Sequence, residues 1–216
     1  HQISSANADG SNVVISQIQV GGVGSGNADQ EFVELYNPTD VSIDMSGWRL
    51  IKEASNSAAK TTLVSSISGK IASHGYFLIA NPDYDNSAVT SDLLYSASSS
   101  AIANNNTVVL YSDAGQTVVD KVGFGILSVL DFETMQFGEN PVAGGALLRK
   151  ASSGSTAESM TGGAEATSGN GYDTDNNANN FVVVDISFPR NIASPVANPT
   201  ATPTTSPTAS PTANAQ

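Results

Sequence analysis

The sequence predicts an all-β chain, an antiparallel sandwich or barrel. Three observations carry this. Eight runs of four to nine residues rich in Val, Ile, Leu, Phe and Tyr are separated by Gly, Asn, Asp, Ser and Pro clusters. No segment keeps a 3.6-residue apolar period between helix caps; only a weak helical pattern covers 128–136. One stretch, NTVVLYSDAGQTVVDKVGFG at 106–125, reads as a complete hairpin, with two β-branched runs flanking Asp113-Ala-Gly-Gln. Many short strands punctuated by turns make layered β architecture the expected solution.

In chain order, NVVISQIQV at 12–20 opens the set. EFVELYN at 31–37 alternates, placing Val33 and Leu35 on one face and Phe32, Glu34 and Tyr36 on the other. GWRLIKE at 47–53 follows a turn, and its Trp48, sharing a face with Leu50, is expected in the core with Val33, Leu35, Phe77 and Leu78. GYFLIA at 75–80 ends at Asn81-Pro82. In the hairpin, Gly115 supplies the positive φ that the turn requires. ALLRK at 146–150 and NFVVVDI at 180–186 complete the strands.

Three zones follow: a loose N-terminus over 1–11, a sandwich domain over 12–193, and a Pro/Thr/Ser-rich linker or stalk over 194–216. Prolines at 195, 199, 203, 207 and 211 form a four-residue repeat, a composition that builds no core and favours disordered, extended polyproline II chain. The chain has 216 residues, no cysteine, 13% charged residues and a net charge of −12. Its eight Lys and Arg are scattered, which disfavours nucleic acid and anionic membranes as partners. No stretch approaches the ~20 apolar residues of a membrane-spanning helix. The Ser/Thr/Asn-rich, charge-poor composition points to an extracellular or cell-surface protein.

Residues 31–50, EFVELYNPTDVSIDMSGWRL, carry most of the information. Glu31 and Glu34 fall on opposite faces of one strand, so they form no general acid/base pair. Glu34, between Phe32 and Tyr36, needs a donor if it is buried. Asp40 and Asp44 read as turn residues. EFVELYN followed by D-x-SGW-x-L at Asp44–Leu50 resembles the lamin tail domain. So do the opening strand NVVISQIQVGG, the hairpin ending VVDKVGFG at 118–125, and ALLRK followed by DTDNNANNFVVVDISFPRN at 173–191. The resemblance runs over about 12–193, least distinctly over 126–170. It implies an immunoglobulin-like β-sandwich without catalytic residues. It also implies a structural or interaction role, as in nuclear lamins, or a tethering role on secreted bacterial proteins, where the domain often stands beside hydrolases.

Other chemistry is sparse. Ser57-Ala-Ala-Lys60 fits the serine-plus-lysine pattern of β-lactam-binding enzymes, but the companion motifs are missing. Gly22, Gly24 and Gly26 lack the strand–helix setting of a dinucleotide loop. His1 and His74, the only histidines, would have to meet at a free N-terminus to hold copper. Asp173, Asp175 and Asn177 are spaced like the start of a calcium loop, but Ala178 stands at the turn glycine and Val184 at the twelfth position. Either they hold calcium weakly or they cap their own backbone.

The expectation is a non-catalytic extracellular adhesion, tethering or assembly module. The competing readings are an accessory glycan- or nucleic-acid-binding domain of an extracellular hydrolase, and a self-assembling surface-layer or filament subunit. Its partner would be a surface polymer, a glycan, a protein or a second copy of itself. The only cofactor in view is calcium at Asp173, Asp175 and Asn177.

Overall fold

The computed structural model describes residues 12–56, 59–85, 89–99, 101–128 and 131–198. The expectations for 1–11, for Ser57 and for the proline repeat from Pro199 onward fall outside these residues.

Twelve strands are described: β1 (Val14–Val20), β2 (Glu31–Tyr36), β3 (Ile43–Asp44), β4 (Arg49–Ala54), β5 (Lys60–Val64), β6 (Lys70–Ile71), β7 (Tyr76–Ala80), β8 (Leu93–Leu94), β9 (Asn106–Ser112), β10 (Thr117–Gly123), β11 (Ala146–Arg149) and β12 (Phe181–Val184). Two short helices, α1 (Ala157–Thr161) and α2 (Asn177–Asn180), accompany them. The described residues of 128–136 hold no helix. One sheet runs β12-β11-β1-β2-β7-β8, a second runs β10-β9-β4-β5, and β3-β6 is a small third ribbon. All pairings are antiparallel except β7 with β8. The expected sandwich is therefore present, with its core between the two larger sheets. Ile15, Ile18, Val33, Leu35, Phe77, Ile79 and Leu147 face Leu50, Leu63, Val108, Leu110, Val119 and Val122 across it.

A β-bulge decides which face of β1 is buried where. Ile15 pairs with Leu35 and Gln17 with Glu34, so Ser16 is the extra residue. A regular strand would turn Ile15 and Ile18 to opposite faces; the bulge resets the phase and sends both inward. Gln17 and Gln19 consequently face outward. The hairpin is as expected, with Gly115 at φ +92°, although Asp113 and Ala114 also take positive φ. Trp48 is only partly buried, contrary to expectation. Met45, fully buried, fills the core under that turn, and Trp48 lies against the cluster's edge.

The outer face of the six-stranded sheet is also covered, which is why every residue of β2 is buried. The segment after β12 crosses it. Gln17 Nε2 donates to the Phe188 carbonyl, and Arg190 pairs with Glu34. Ala197 then packs on Val14, Tyr36 and Tyr76, and its N–H donates to the His74 carbonyl. The folded body thus reaches Asn198, whose N–H donates to Thr167 O, five residues past the expected boundary at 193. The chain enters at Val14 and leaves at Asn198 on one pole. The β1–β2 loop, the end of β7, the start of β11 and the end of β12 lie at the other, roughly 20 Å away at ~3.3 Å per strand residue.

A chain ending at Asn198 keeps the Ala197 contacts and one ending at Ala193 loses them. The shorter chain is expected to be less stable by about 1–2 kcal/mol, or roughly 2–8 °C in Tm for a body of this size. Thermal melts of the two truncations, side by side, check this.

Candidate functional site

Arg149, at the end of β11, is fully buried and sits where the two sheets meet. Alternation puts Asp120 of β10 on the same inward face as Val122. Its Oδ2 accepts from Arg149 Nη2 at 2.7 Å and from the Ile15 N–H at 2.5 Å. Arg149 Nε donates to Ile15 O at 2.8 Å, and Nη1 lies 3.1 Å from Asp173 Oδ1. The guanidinium also stands 4.7 Å from the Phe181 ring centroid. Glu133 completes the centre: ligand atoms of Asp120, Glu133 and Asp173 lie within 4.8 Å of one another, and all three residues are buried. Burial, reinforced by Asp120 and Asp173, pushes the Glu133 carboxyl up to about 9. Burial also raises Asp120, with Arg149 working against it. Burial alone would lower Arg149, but the surrounding carboxylates more than offset it and hold it charged.

The structure divides the residues proposed for calcium. Asp173 Oδ1 accepts from Asn180 Nδ2 and faces Arg149. Asp175 takes φ +51°, with its N–H directed at Asp173 Oδ1. Asn177 points elsewhere. Its Oδ1 accepts from the Gly123 and Glu133 N–H groups, and its Nδ2 donates to Lys121 O and Glu133 Oε2. An amide oxygen holding two N–H groups has both lone pairs engaged, so Asn177 is a cross-brace between β10 and the 131–137 loop. The carboxylates that do converge, Asp120 and Glu133, were not expected. Each is a single acid in a strand or loop; the only hint in the sequence was a charge set inside an apolar run, Asp120 in VVDKV and, for their cation, Arg149 in ALLRK.

The other buried acids are also committed. Glu34 Oε1 lies 2.7 Å from both Arg190 Nη2 and Ser16 Oγ, which is the donor set its burial requires. Arg190 stacks 3.8 Å from the Tyr76 ring centroid. Glu31, on the opposite face, accepts from Asn81 Nδ2 and from the Ile102 N–H; burial pushes it up to about 7. Lys60 Nζ lies 2.8 Å from Glu53 Oε1, so the lysine of the serine-plus-lysine pattern is held in an ion pair on β5. His74 Nε2 lies 2.9 Å from Asp40.

Among the described residues, open space is found at the pole away from Val14 and Asn198. Two pockets flank the glycine-rich β1–β2 loop. One, of about 550 Å³, is lined by glycines and alanines with Ile102 and Pro141. The other, of about 320 Å³, opens on the outer face between that loop and the β12 exit, and Gln19, Asn27, Gln30, Tyr84, Asp85 and Ser187 line it. Gly144, at φ +78°, lets the 141–145 loop close on Val23: an added Cβ would stand 2.6 Å from Val23 Cγ2. A third pocket, of about 500 Å³, runs between α1 and residues 183–188.

Two packed antiparallel sheets with their buried charges spent on scaffolding define an immunoglobulin-like β-sandwich module. The lamin tail domain family matches residues 6–125, and the chain belongs to that family. β11, β12 and the covering segment lie beyond the matched residues; the two strands complete the same sheet and the segment lies across its outer face. Among solved structures, a DUF4876 family protein from Bacteroides thetaiotaomicron is similar over 84% of this chain and 72% of its own, with a TM-score of 0.51 and 12% identity. At that identity the likeness speaks for the fold alone. No curated protein matches the chain.

Two outcomes follow from the buried charges. Glu31 and Glu133 bind protons more tightly folded than unfolded. Their contribution to stability is full below about pH 4.5 and is lost as pH rises, through about 7 for Glu31 and about 9 for Glu133. Denaturant unfolding is expected to show stability falling from pH 5 to pH 9, and Glu133→Gln to flatten the upper part of that fall. Arg149→Met strands Asp120 and Asp173 and is expected to cost about 3–5 kcal/mol at pH 7. The metal question is read by thermal melts in millimolar calcium and in EDTA. The expected result is no shift in either, with Asp173→Ala destabilising by about 1–3 kcal/mol. A calcium-raised Tm that Asp175→Ala abolishes would place a cation at this centre.

Proposed function

We propose that this chain is a non-catalytic extracellular binding or tethering module, presenting its loop pole to a partner and its opposite pole to the rest of the protein. The observation that carries this is the separation of the poles. Entry at Val14 and exit at Asn198 share one end, and the pockets flanking the β1–β2 loop occupy the other. The proline repeat that follows Asn198 fits a spacer that holds the loop pole away from its attachment. The charge-poor composition and membership of the lamin tail domain family support an interaction role. The commitment of Glu31, Glu34, Asp120 and Glu133 to structural partners leaves no nucleophile–base pair among them.

A fluorescent reporter fused after Gln216 tests the reading. The fusion is expected to be captured by cell envelopes or their extracted polymers, to elute as a monomer, and to show no turnover of chromogenic ester, phosphate or glycoside substrates. Turnover, or concentration-dependent growth into particles by light scattering, would overturn it in favour of an enzyme or a self-assembling subunit.

A further inference from the structure

We propose that the pocket between the β1–β2 loop and the β12 exit binds neutral, hydroxyl-rich glycan, with Gln19, Asn27 and Gln30 as its hydrogen-bonding groups. The proposal rests on the binding-module reading and names the ligand class and the site.

Chemistry selects the ligand. Three carboxamides and the Ser187 hydroxyl line a space of about 320 Å³, at the small end of ligand pockets. A carboxamide donates and accepts side by side, as a sugar hydroxyl does, so the two sets match without any net charge. No Lys or Arg lines the pocket, and Asp85 does, which disfavours phosphate, sulfate and uronate groups.

The carboxamides are also held in place. Gln19 Nε2 donates to Gln30 O, Asn27 Nδ2 to Val23 O, and Gln30 Nε2 to Asp83 O. One N–H of each amide fixes its orientation and leaves the second for a ligand, the preorganisation that lowers the entropy cost of binding. Gln19 supplies an independent sign. It is 5% exposed, it lines the pocket, and its Oε1 has no hydrogen-bond partner among the described residues. A buried acceptor without a donor is a standing cost; Oε1 is itself shut off from solvent, so a ligand hydroxyl removes that cost only with a turn of the Gln19 side chain into the pocket. Val23, 72% exposed at the rim, offers an apolar surface to the C–H face of a sugar ring.

Native affinity electrophoresis tests this, with the whole chain run through gels containing laminarin, galactomannan, xyloglucan or dextran, and polygalacturonate as the anionic comparison. At least one neutral polysaccharide is expected to retard the wild type and polygalacturonate to leave it unmoved. Gln19→Leu removes the unpartnered acceptor. Ser187→Phe fills the pocket from a side chain that makes no hydrogen bond among the described residues. Both are expected to weaken retardation at least tenfold while melting cooperatively. Equal retardation of wild type and both variants would overturn the site but leave the module reading intact. Retardation by polygalacturonate alone, or by none of the five, would overturn the ligand class; capture of the reporter fusion by envelopes would then show that the module binds something else.

Discussion

The fold turns on a guanidinium held between two sheets. Arg149 leaves the six-stranded sheet at the end of β11 and reaches Asp120 of the four-stranded sheet, the backbone of β1, and the loop at Asp173. Hydrophobic contact between sheets is not directional and tolerates sliding. An ion pair that also binds the Ile15 N–H and C=O does not. Taking these charges out of water is expensive and yields little net stability compared with an apolar core of the same shape. What the cluster supplies is register: one position of β10 against β1 satisfies the guanidinium, and a slip leaves charges stranded. The crowding of Glu133 and Asp173 around a single cation is the cost of that specification.

A second charge pair performs a related task on the opposite face. Glu34 and Arg190 fasten the closing segment over β1 and β2, with Tyr76 beneath the guanidinium. The six-stranded sheet is therefore buried on both sides, the outer side by irregular chain and, over β11 and β12, by the short helix α1 rather than by a full third layer. That arrangement leaves a gap where the cover begins, between the β12 exit and the β1–β2 loop, and the amide-lined pocket lies in it.

Much of this was legible in the sequence because alternation is a short-range signal. The inward Val33 and Leu35, the outward Glu34 and the hairpin around Gly115 follow from period two and turn chemistry. Features set by long-range pairing were not legible. The Ser16 bulge shifts the phase of β1 without any marker in the residues VVISQI. Met45, not Trp48, fills the core, because the turn geometry decides which side chain reaches inward. β5 hides in a Ser/Thr/Ala-rich run, and α1 and α2 are too short to show a period. For the buried centre, Asp173 was found by its spacing in a motif. Asp120, Glu133 and Arg149 come from three separate segments, and only folding places them together. Gln19, Asn27 and Gln30 escaped notice because amides near a loop are ordinary turn and strand-end residues until the β12 exit closes over them.

Adjacent entry and exit points have an architectural consequence. Val14 and Ala197 share one small cluster, so the described body begins and ends side by side, the geometry of a side branch rather than of a link in line. A host protein accepting it in a surface loop would need to open a gap only a few residues wide. Tension carried along such a host would pass across the root of the branch and leave the far pole unloaded. A bead of this kind adds a surface to a polymer without adding to its length.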